Sequence, residues 1–258
     1  MNYALVTGAS KGIGKSIAEA LAAKGKNLIL VSRSEDALKE LSLFIHKRYN
    51  VQVDYISIDL SHADSTERIL AWVKERKYSI DVLVNNAGYG LWGKFDERSI
   101  NSYNEMLQVN MLTVVQLTYA LIPELKKHLK SYILNVASTA AYQAVPTLSL
   151  YAASKSFVLL FTRGIRLELQ DTAISVSCLC PGPTSTDFIN RAGMSDAIKK
   201  KSDAFAMSSD DVAKVGLQGM YSGSAEIVPG LLNKIIVAFT AIMPKWITEK
   251  IANDLYKK

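Results

Sequence analysis

Residues 3–14 read Tyr3-Ala4-Leu5-Val6-Thr7-Gly8-Ala9-Ser10-Lys11-Gly12-Ile13-Gly14. The apolar run Tyr3–Thr7 reads as a strand, and from Gly14 to Lys24 the residues Ile17, Ala18, Leu21 and Ala22 fall on one helical face. Between them lie Gly8, Gly12 and Gly14. A strand that passes through such a turn into a helix offers backbone N–H groups and the positive end of a helix dipole to an anion, and glycine lets a pyrophosphate approach the chain. The spacing G-x-x-x-G-x-G differs from the commoner dinucleotide fingerprint G-x-G-x-x-G. Gly14-Lys15-Ser16 mimics the end of an ATP-binding loop, but the preceding glycine stands at the wrong distance. The strand before and the helix after supply the context a nucleotide-binding loop requires; the bland alternative is a structural turn.

The same alternation continues outward. Strands are predicted at Asn27–Ser32, Val51–Ile58, Val82–Asn85, Tyr132–Ala137 and Ile174–Leu179. Helices are predicted at Glu35–Arg48, Ser65–Arg76, Ser102–His128 and Leu150–Leu169, with Gly25 ending the first helix. Runs such as Leu28-Ile29-Leu30-Val31 have no polar alternation, as befits strands covered on both faces. Regular βα alternation predicts right-handed crossovers and an α/β doubly wound parallel sheet with helices on both faces, one domain over residues 1–258. The last third breaks the pattern. Residues 187–210 read as a mobile lid of short helices, Ser209–Tyr221 as a helix and Ala225–Val228 as a last strand. Residues 230–258 read as a helical extension with an apolar stripe at 231, 232, 235, 236, 239, 242, 243, 246 and 247. Pro244 interrupts it and is expected in the first turn of a second helix.

At 258 residues, 49% hydrophobic and 21% charged, the chain can bury a large core and is not disordered in composition. The net charge of +6 permits an anionic cofactor, but the basic residues are dispersed and no nucleic-acid-binding spacing stands out, so no nucleic-acid partner is expected. Two cysteines, Cys178 and Cys180, suit a reducing compartment and point to one face of a strand as packed thiols. They lack the histidine partners a metal site would need, and no metal is expected. Met1–Gly8 does not resemble a signal peptide, and the longest strongly apolar segment, Ile235–Met243, is nine residues; a cytoplasmic location is expected. The C-terminal stripe is expected to pack on the body or in a subunit interface. A rival reading lays it and Trp246 on a membrane surface, with Lys234, Lys245, Lys250, Lys257 and Lys258 at anionic lipid.

Two clusters carry chemistry. At the end of the second strand a carboxylate would favour NAD, whereas Val31-Ser32-Arg33-Ser34 offers none. Arg33 suits the 2′-phosphate of NADP, and Lys11 in the glycine loop is placed to meet the same group. Tyr151 and Lys155 lie at i and i+4 on one helical face, where a nearby ammonium favours the phenolate and makes tyrosine a usable acid/base near neutral pH. Ser138 follows the strand Tyr132–Ala137, at the sheet end where such folds bind ligands.

Taken in order and spacing, residues 7–14, Asn85-Asn86-Ala87-Gly88, Asn110, Ser138, Tyr151-Ala152-Ala153-Ser154-Lys155 and Pro181-Gly182 resemble the short-chain dehydrogenase/reductases, closely from Tyr3 to Thr186 and in outline beyond. The resemblance implies a Rossmann-like fold and an NADP(H)-dependent oxidoreductase acting on a small-molecule carbonyl or secondary alcohol. Gly8, Ser10, Lys11, Gly12, Ile13 and Gly14 would hold the cofactor phosphates and ribose. Ser32 and Arg33 would face the adenosine 2′ side, Asp59 and Leu60 the adenine, and Asn86, Ala87 and Gly88 the adenosine flank. Pro181, Gly182, Thr184 and Thr186 would sit by the nicotinamide, Thr184 standing where the family usually has an aliphatic residue. Tyr151 would be the acid/base, Ser138 would bind the substrate oxygen, Lys155 the nicotinamide ribose, and Asn110 a water of the proton relay. A homodimer or homotetramer through the two long helices is also implied. An NADP-binding regulator without turnover is the rival; such proteins tend to lose the tyrosine or lysine, and this chain keeps both. Tyr89, Trp92, Phe95, Tyr142, Gln143, Phe188 and Met194 are candidates for an apolar substrate pocket, and Lys199–Lys201 for contact with a phosphopantetheine or acyl-CoA.

Overall fold

The computed structural model describes residues 1–256, whose strands are β1 (Asn2–Thr7), β2 (Asn27–Ser32), β3 (Val53–Ser57), β4 (Ser79–Asn85), β5 (Ser131–Val136), β6 (Ile174–Leu179) and β7 (Glu226–Ile227). They form one sheet in the order β3-β2-β1-β4-β5-β6-β7, parallel at every pairing. Along β1 and β2 alternate side chains enter opposite cores, as the two-residue period dictates. Ala4, Val6, Leu28 and Leu30 pack beneath α1 (Gly12–Ala22) and α2 (Glu35–Tyr49). Leu5, Ile29 and Val31 face α3 (Ser65–Glu75) and the long apolar helix on the other side. All seven of those strand side chains are fully buried, which explains why the sequence shows no polar alternation there.

The long helix departs from expectation. It begins earlier and is three pieces: α4 (Ile100–Leu107), a π-helical turn at Gln108–Leu112, and α5 (Thr113–Leu125). By length and composition Ile100–Leu125 is apolar enough to cross a membrane, although the sequence reading saw no such run. Its apolarity comes from the face that holds Val114, Leu117, Leu121 and Leu125 against the core. Next come α6 (Ser149–Glu168), then two short helices in the segment expected to form a lid, α7 (Phe188–Ala192) and α8 (Asp196–Asp203), then α9 (Ser209–Tyr221).

The C-terminal extension forms α10 (Leu231–Ile242) and α11 (Lys245–Tyr256). Pro244 lies just ahead of α11 instead of in its first turn. The larger departure concerns the stripe, expected on the body or in a subunit interface: within this chain most of it is not packed on the body. Leu231, Ile235 and Ile242 are 75%, 57% and 79% exposed, while the residues α10 buries are the polar Asn233 and Thr240. The side chain of Lys201, and residues Lys257 and Lys258, lie outside the described residues.

Candidate active site

Strand order reverses at the β1–β4 boundary, and there the carboxyl ends of the strands open a crevice. Thr7, the last residue of β1, holds the two sides together. Its hydroxyl accepts the Asn86 and Ala87 amides at 3.0 Å each, and the Asn86 carboxamide donates back to the Thr7 carbonyl at 2.9 Å. The turn after β1 needs Gly8 and Gly12, which have φ of +66° and +56°. A Cβ on Gly14 would collide with the Gly8 carbonyl and the Asn86 carboxamide, so this glycine packs the loop onto α1. Lys11 occupies the N-cap of α1 but makes no side-chain cap, and the first turn carries no acid. The helix N-terminus therefore presents its amides and positive dipole end to the crevice.

The crevice is a cleft of about 1380 Å³. Gly8, Ser10, Lys11, Gly12 and Ile13 line one end, with Ser32, Arg33, Asp59 and Leu60 beside them. Asn86, Ala87 and Gly88 line the middle. Ser138, Tyr151, Lys155, Pro181, Gly182, Thr184 and Thr186 line the other end. Of the expected site residues, Gly14 and Asn110 stand behind the wall. The volume exceeds the roughly 300–1,000 Å³ of a common small-molecule pocket, which leaves space for a dinucleotide and a second ligand. At the β2 end, the Ser32 hydroxyl is buried with no protein partner, a polar atom that a ribose or phosphate oxygen would satisfy. The residues present thus fit a dinucleotide.

Both cations expected at the 2′ side are engaged. Arg33 Nη1 stands 3.4 Å from Asp59 Oδ2, and Lys11 Nζ 2.5 Å from Asp187 Oδ2. Burial alone would raise the Asp59 carboxyl, but the Ser61 amide and hydroxyl and the Arg33 guanidinium outweigh it and hold the pKa below the ordinary value. Asp187 is held low mainly by Lys11 and Asn190. The Lys11 and Arg33 side chains are half exposed, and exposed ion pairs contribute only about 0–1 kcal/mol. An arriving phosphate can therefore take over either cation at small cost.

The chemical end is held by buried hydrogen bonds. Lys155 is 4% exposed, its ammonium donates to the Val136 carbonyl at 2.9 Å, and it lies 5.9 Å from the centre of the Tyr151 ring. Burial lowers its pKa to about 8, and the sulfurs of Cys178 and Cys180 offset that only in part. Those thiols are buried 3.7 Å apart, as the strand spacing predicts. The Ser138 hydroxyl accepts the Ala140 amide at 3.1 Å, which leaves its proton free to point at a ligand. Asn110 is fully buried in the π-helical turn. Its amide donates to the Tyr89 carbonyl and the Ser154 hydroxyl at 3.0 Å each, and its carbonyl accepts the Tyr89 amide at 3.1 Å. A Cβ on Gly88 would lie 3.0 Å from Lys155 Nζ and 3.2 Å from Asn110 Oδ1, so a side chain here would crowd the point where these groups converge. Asn110 thus fixes the loop that follows β4 against α6.

The pocket candidates divide. Tyr89, Gln143, Phe188 and Met194 line the cleft, and the Phe188 ring lies 5.2 Å from that of Tyr151. Trp92 is packed with Tyr103 and Met106, and Phe95 is exposed and stacked on Tyr103. Tyr142 points away and donates to Glu226 at 2.5 Å. Lys199 donates to Asn190 at 3.3 Å. Sequence reasoning gave no role to Thr7, Ser154, Asp187 and Asn233, although Thr7 and Ser154 stand inside the quoted motifs and Asn233 is a polar residue on the side of α10 opposite its apolar stripe. A Cβ on Gly182 would collide with the Asn233 carboxamide, which itself donates to the Pro229 carbonyl at 2.7 Å.

The chain is similar to known proteins. The short chain dehydrogenase profile matches residues 2–193. A very-long-chain 3-oxoacyl-CoA reductase of Rattus norvegicus is 30% identical over 251 residues, which span 95% of this chain and 76% of that one. Hydroxysteroid dehydrogenase-like protein 1 of Gallus gallus is 31% identical over 250 residues, 95% and 73% of the two chains. Among solved structures, a short-chain dehydrogenase from Sphingobium yanoikuyae in complex with NADPH superposes with a TM-score of 0.82 at 25% identity, covering 95% of this chain and 96% of that one.

Proposed function

This chain belongs to the short-chain dehydrogenase/reductase family, an oxidoreductase family, and on that premise we propose that it is an NADPH-dependent reductase of hydrophobic carbonyl compounds, with ketones, aldehydes and 3-oxoacyl thioesters as the substrate class. The observation that carries the reading is the convergence of Ser138, Tyr151 and Lys155 at one end of a cleft whose continuation is apolar, through Val145, Leu148, Phe188 and Ile198. The name of the rat relative supports the thioester arm. Preference for the 2′-phosphate rests on Arg33 and Lys11 and on the lack of an acid at Val31–Ser34.

When bound, the cofactor supplies the hydride. The chain's part is position, charge and a proton. The Ser138 hydroxyl donates to the carbonyl oxygen as negative charge grows there. Tyr151 gives that oxygen its proton, and the nearby Lys155 ammonium favours the phenolate left behind. Asn110 acts as a positioning residue, because its side chain is committed to Tyr89 and Ser154; a relay water at this residue would use its backbone. The proposal includes a lid, residues 187–210, whose Asp187 reaches across the cleft to Lys11 and whose Phe188 lies against Tyr151. It also includes a homodimer or homotetramer through α4–α5 and α6, where Leu112, Tyr119, Leu160 and Leu167 are exposed. The two thiols suit a reducing compartment.

The test is calorimetric titration with NADPH and NADH side by side, then NADPH oxidation with ketones and 3-oxoacyl thioesters of increasing chain length. Tight NADPH binding, weak NADH binding and turnover that improves with chain length are expected. Preference for NADH would remove the Arg33–Lys11 clamp, and binding without turnover on any carbonyl would favour a regulator.

A further inference from the structure

α10 is an inside-out helix. A helix at the surface of a water-soluble body buries its apolar stripe and exposes polar residues. Here Asn233 and Thr240 are buried at 6% and 4%, while Leu231, Leu232, Ile235, Ile236, Phe239 and Ile242 are 40–79% exposed. At 100° per residue these six fall within one broad face of the helix. Trp246, at the start of α11, is 68% exposed and adds an aromatic ring with a polar N–H. The surface is contiguous and apolar, which marks a contact site and not ordinary scatter.

Two observations identify what covers it. The first is charge. From Ile227 to Thr248 there is no acidic residue, and the exposed Lys234 and Lys245 stand within the apolar surface. An isologous dimer would set this face against itself and bring lysines together without a carboxylate from the segment to pair them. An anionic lipid headgroup supplies the missing charge, while the aliphatic side chains enter the acyl boundary. The second is continuity. Leu232 and Ile236 belong both to the exposed face and to the wall of the catalytic cleft, and Phe205, 64% exposed, lines the same cleft. An apolar track therefore runs from the outer surface of α10 towards Tyr151.

We propose that α10 and the start of α11 lie in the surface of an anionic lipid bilayer, with Leu231, Ile235, Phe239, Ile242 and Trp246 immersed and Lys234 and Lys245 at the headgroups, so that the cleft opens onto the lipid. The docking stands on the exposed face alone. The corollary, that the carbonyl substrate enters from the lipid phase past Leu232 and Ile236, rests on the function proposed above.

The experiment is co-sedimentation of the full chain with vesicles of neutral phosphatidylcholine and with vesicles containing phosphatidylserine. It is run beside size-exclusion chromatography without lipid. The variants are Ile235→Glu/Ile242→Glu, which touches neither the cleft nor the core, and Lys234→Glu. The intact protein is expected to bind phosphatidylserine vesicles more tightly than neutral ones. The double variant should lose at least about tenfold in partitioning, and Lys234→Glu should lose the preference for anionic lipid. Reduction of a small water-soluble ketone should be unchanged in both variants, which checks the fold. Failure of vesicle binding by the intact protein overturns the proposal, and so does binding that the double variant retains. A dimer that the double variant dissociates, without vesicle binding, assigns the face to a second copy and also overturns it. Because sedimentation needs no turnover, the proposed chemistry can fail while the docking stands, and the reverse.

Discussion

Replacing Lys155 by methionine should make the unliganded protein more stable at neutral pH while removing its activity. Burial lowers the ammonium pKa from 10.5 to about 8, and a depression of that size costs the folded state about 3 kcal/mol while the lysine is charged. Methionine fills the space of the stem without the charge. The substitution also breaks the 2.9 Å bond to Val136 and leaves that buried carbonyl unpartnered, at a cost of about 2 kcal/mol. The net gain is about 1 kcal/mol at pH 7, or roughly 2–4 °C in Tm for a chain of this size. The pH dependence gives the sharper test. Between about pH 8 and 10.5 the unfolded lysine holds a proton that the folded one has released, so the unsubstituted protein gains stability as pH rises through that window. The variant lacks this gain. Urea unfolding of both proteins without nucleotide should find the variant more stable at pH 7 and less stable at pH 10. A variant less stable at pH 7, or a difference that does not change with pH, would refute the account of Lys155 as a strained buried cation.

Three further outcomes are expected. Tyr151→Phe should reduce turnover by about 10²–10⁴-fold, read as NADPH oxidation, and leave the calorimetric NADPH affinity nearly unchanged. Arg33→Asp should lower the ratio of kcat/KM with NADPH to that with NADH by at least about tenfold, because it removes a charged phosphate donor and adds a repelling carboxylate. Asn110→Ala removes three hydrogen bonds that clamp Tyr89 to α6, so urea unfolding should register a loss of about 2–4 kcal/mol, and kcat should fall more than KM changes.

The doubly wound sheet was legible because each strand is a short apolar run and each crossover has helical period. Asn27–Ser32, Ile174–Leu179 and Ser209–Tyr221 have the predicted bounds. The glycine loop was legible from its place between a strand and a helix, and the Tyr151–Lys155 pair from the helical repeat, whereas their grouping with Ser138 as one site came from the resemblance to a known family. What escaped depends on three-dimensional proximity. The π-helical turn at Gln108–Leu112 has no compositional mark, and the residues that Asn110 bonds, Tyr89 and Ser154, are 21 and 44 positions away. Periodicity marked 231–242 as an amphipathic helix correctly, but period alone does not say which face turns inward. Asn233 does, because its buried carboxamide packs against Gly182, and Thr240 is buried on the same side with its hydroxyl donating to the Val237 carbonyl of its own helix.

The contact between Asn233 and Gly182 bears on how such chains can be recombined. The family profile ends at residue 193, which invites treating the remainder as an exchangeable module. Yet residue 233 occupies the space where any side chain at 182 would grow, one step from the loop that frames the reactive end of the cleft. A C-terminal segment grafted from a relative that carries a larger group at that spot would press on Pro181–Thr184, even if every residue up to 193 were retained. Swaps meant to alter substrate choice should therefore also disturb nucleotide affinity, unless residue 233 travels with its glycine.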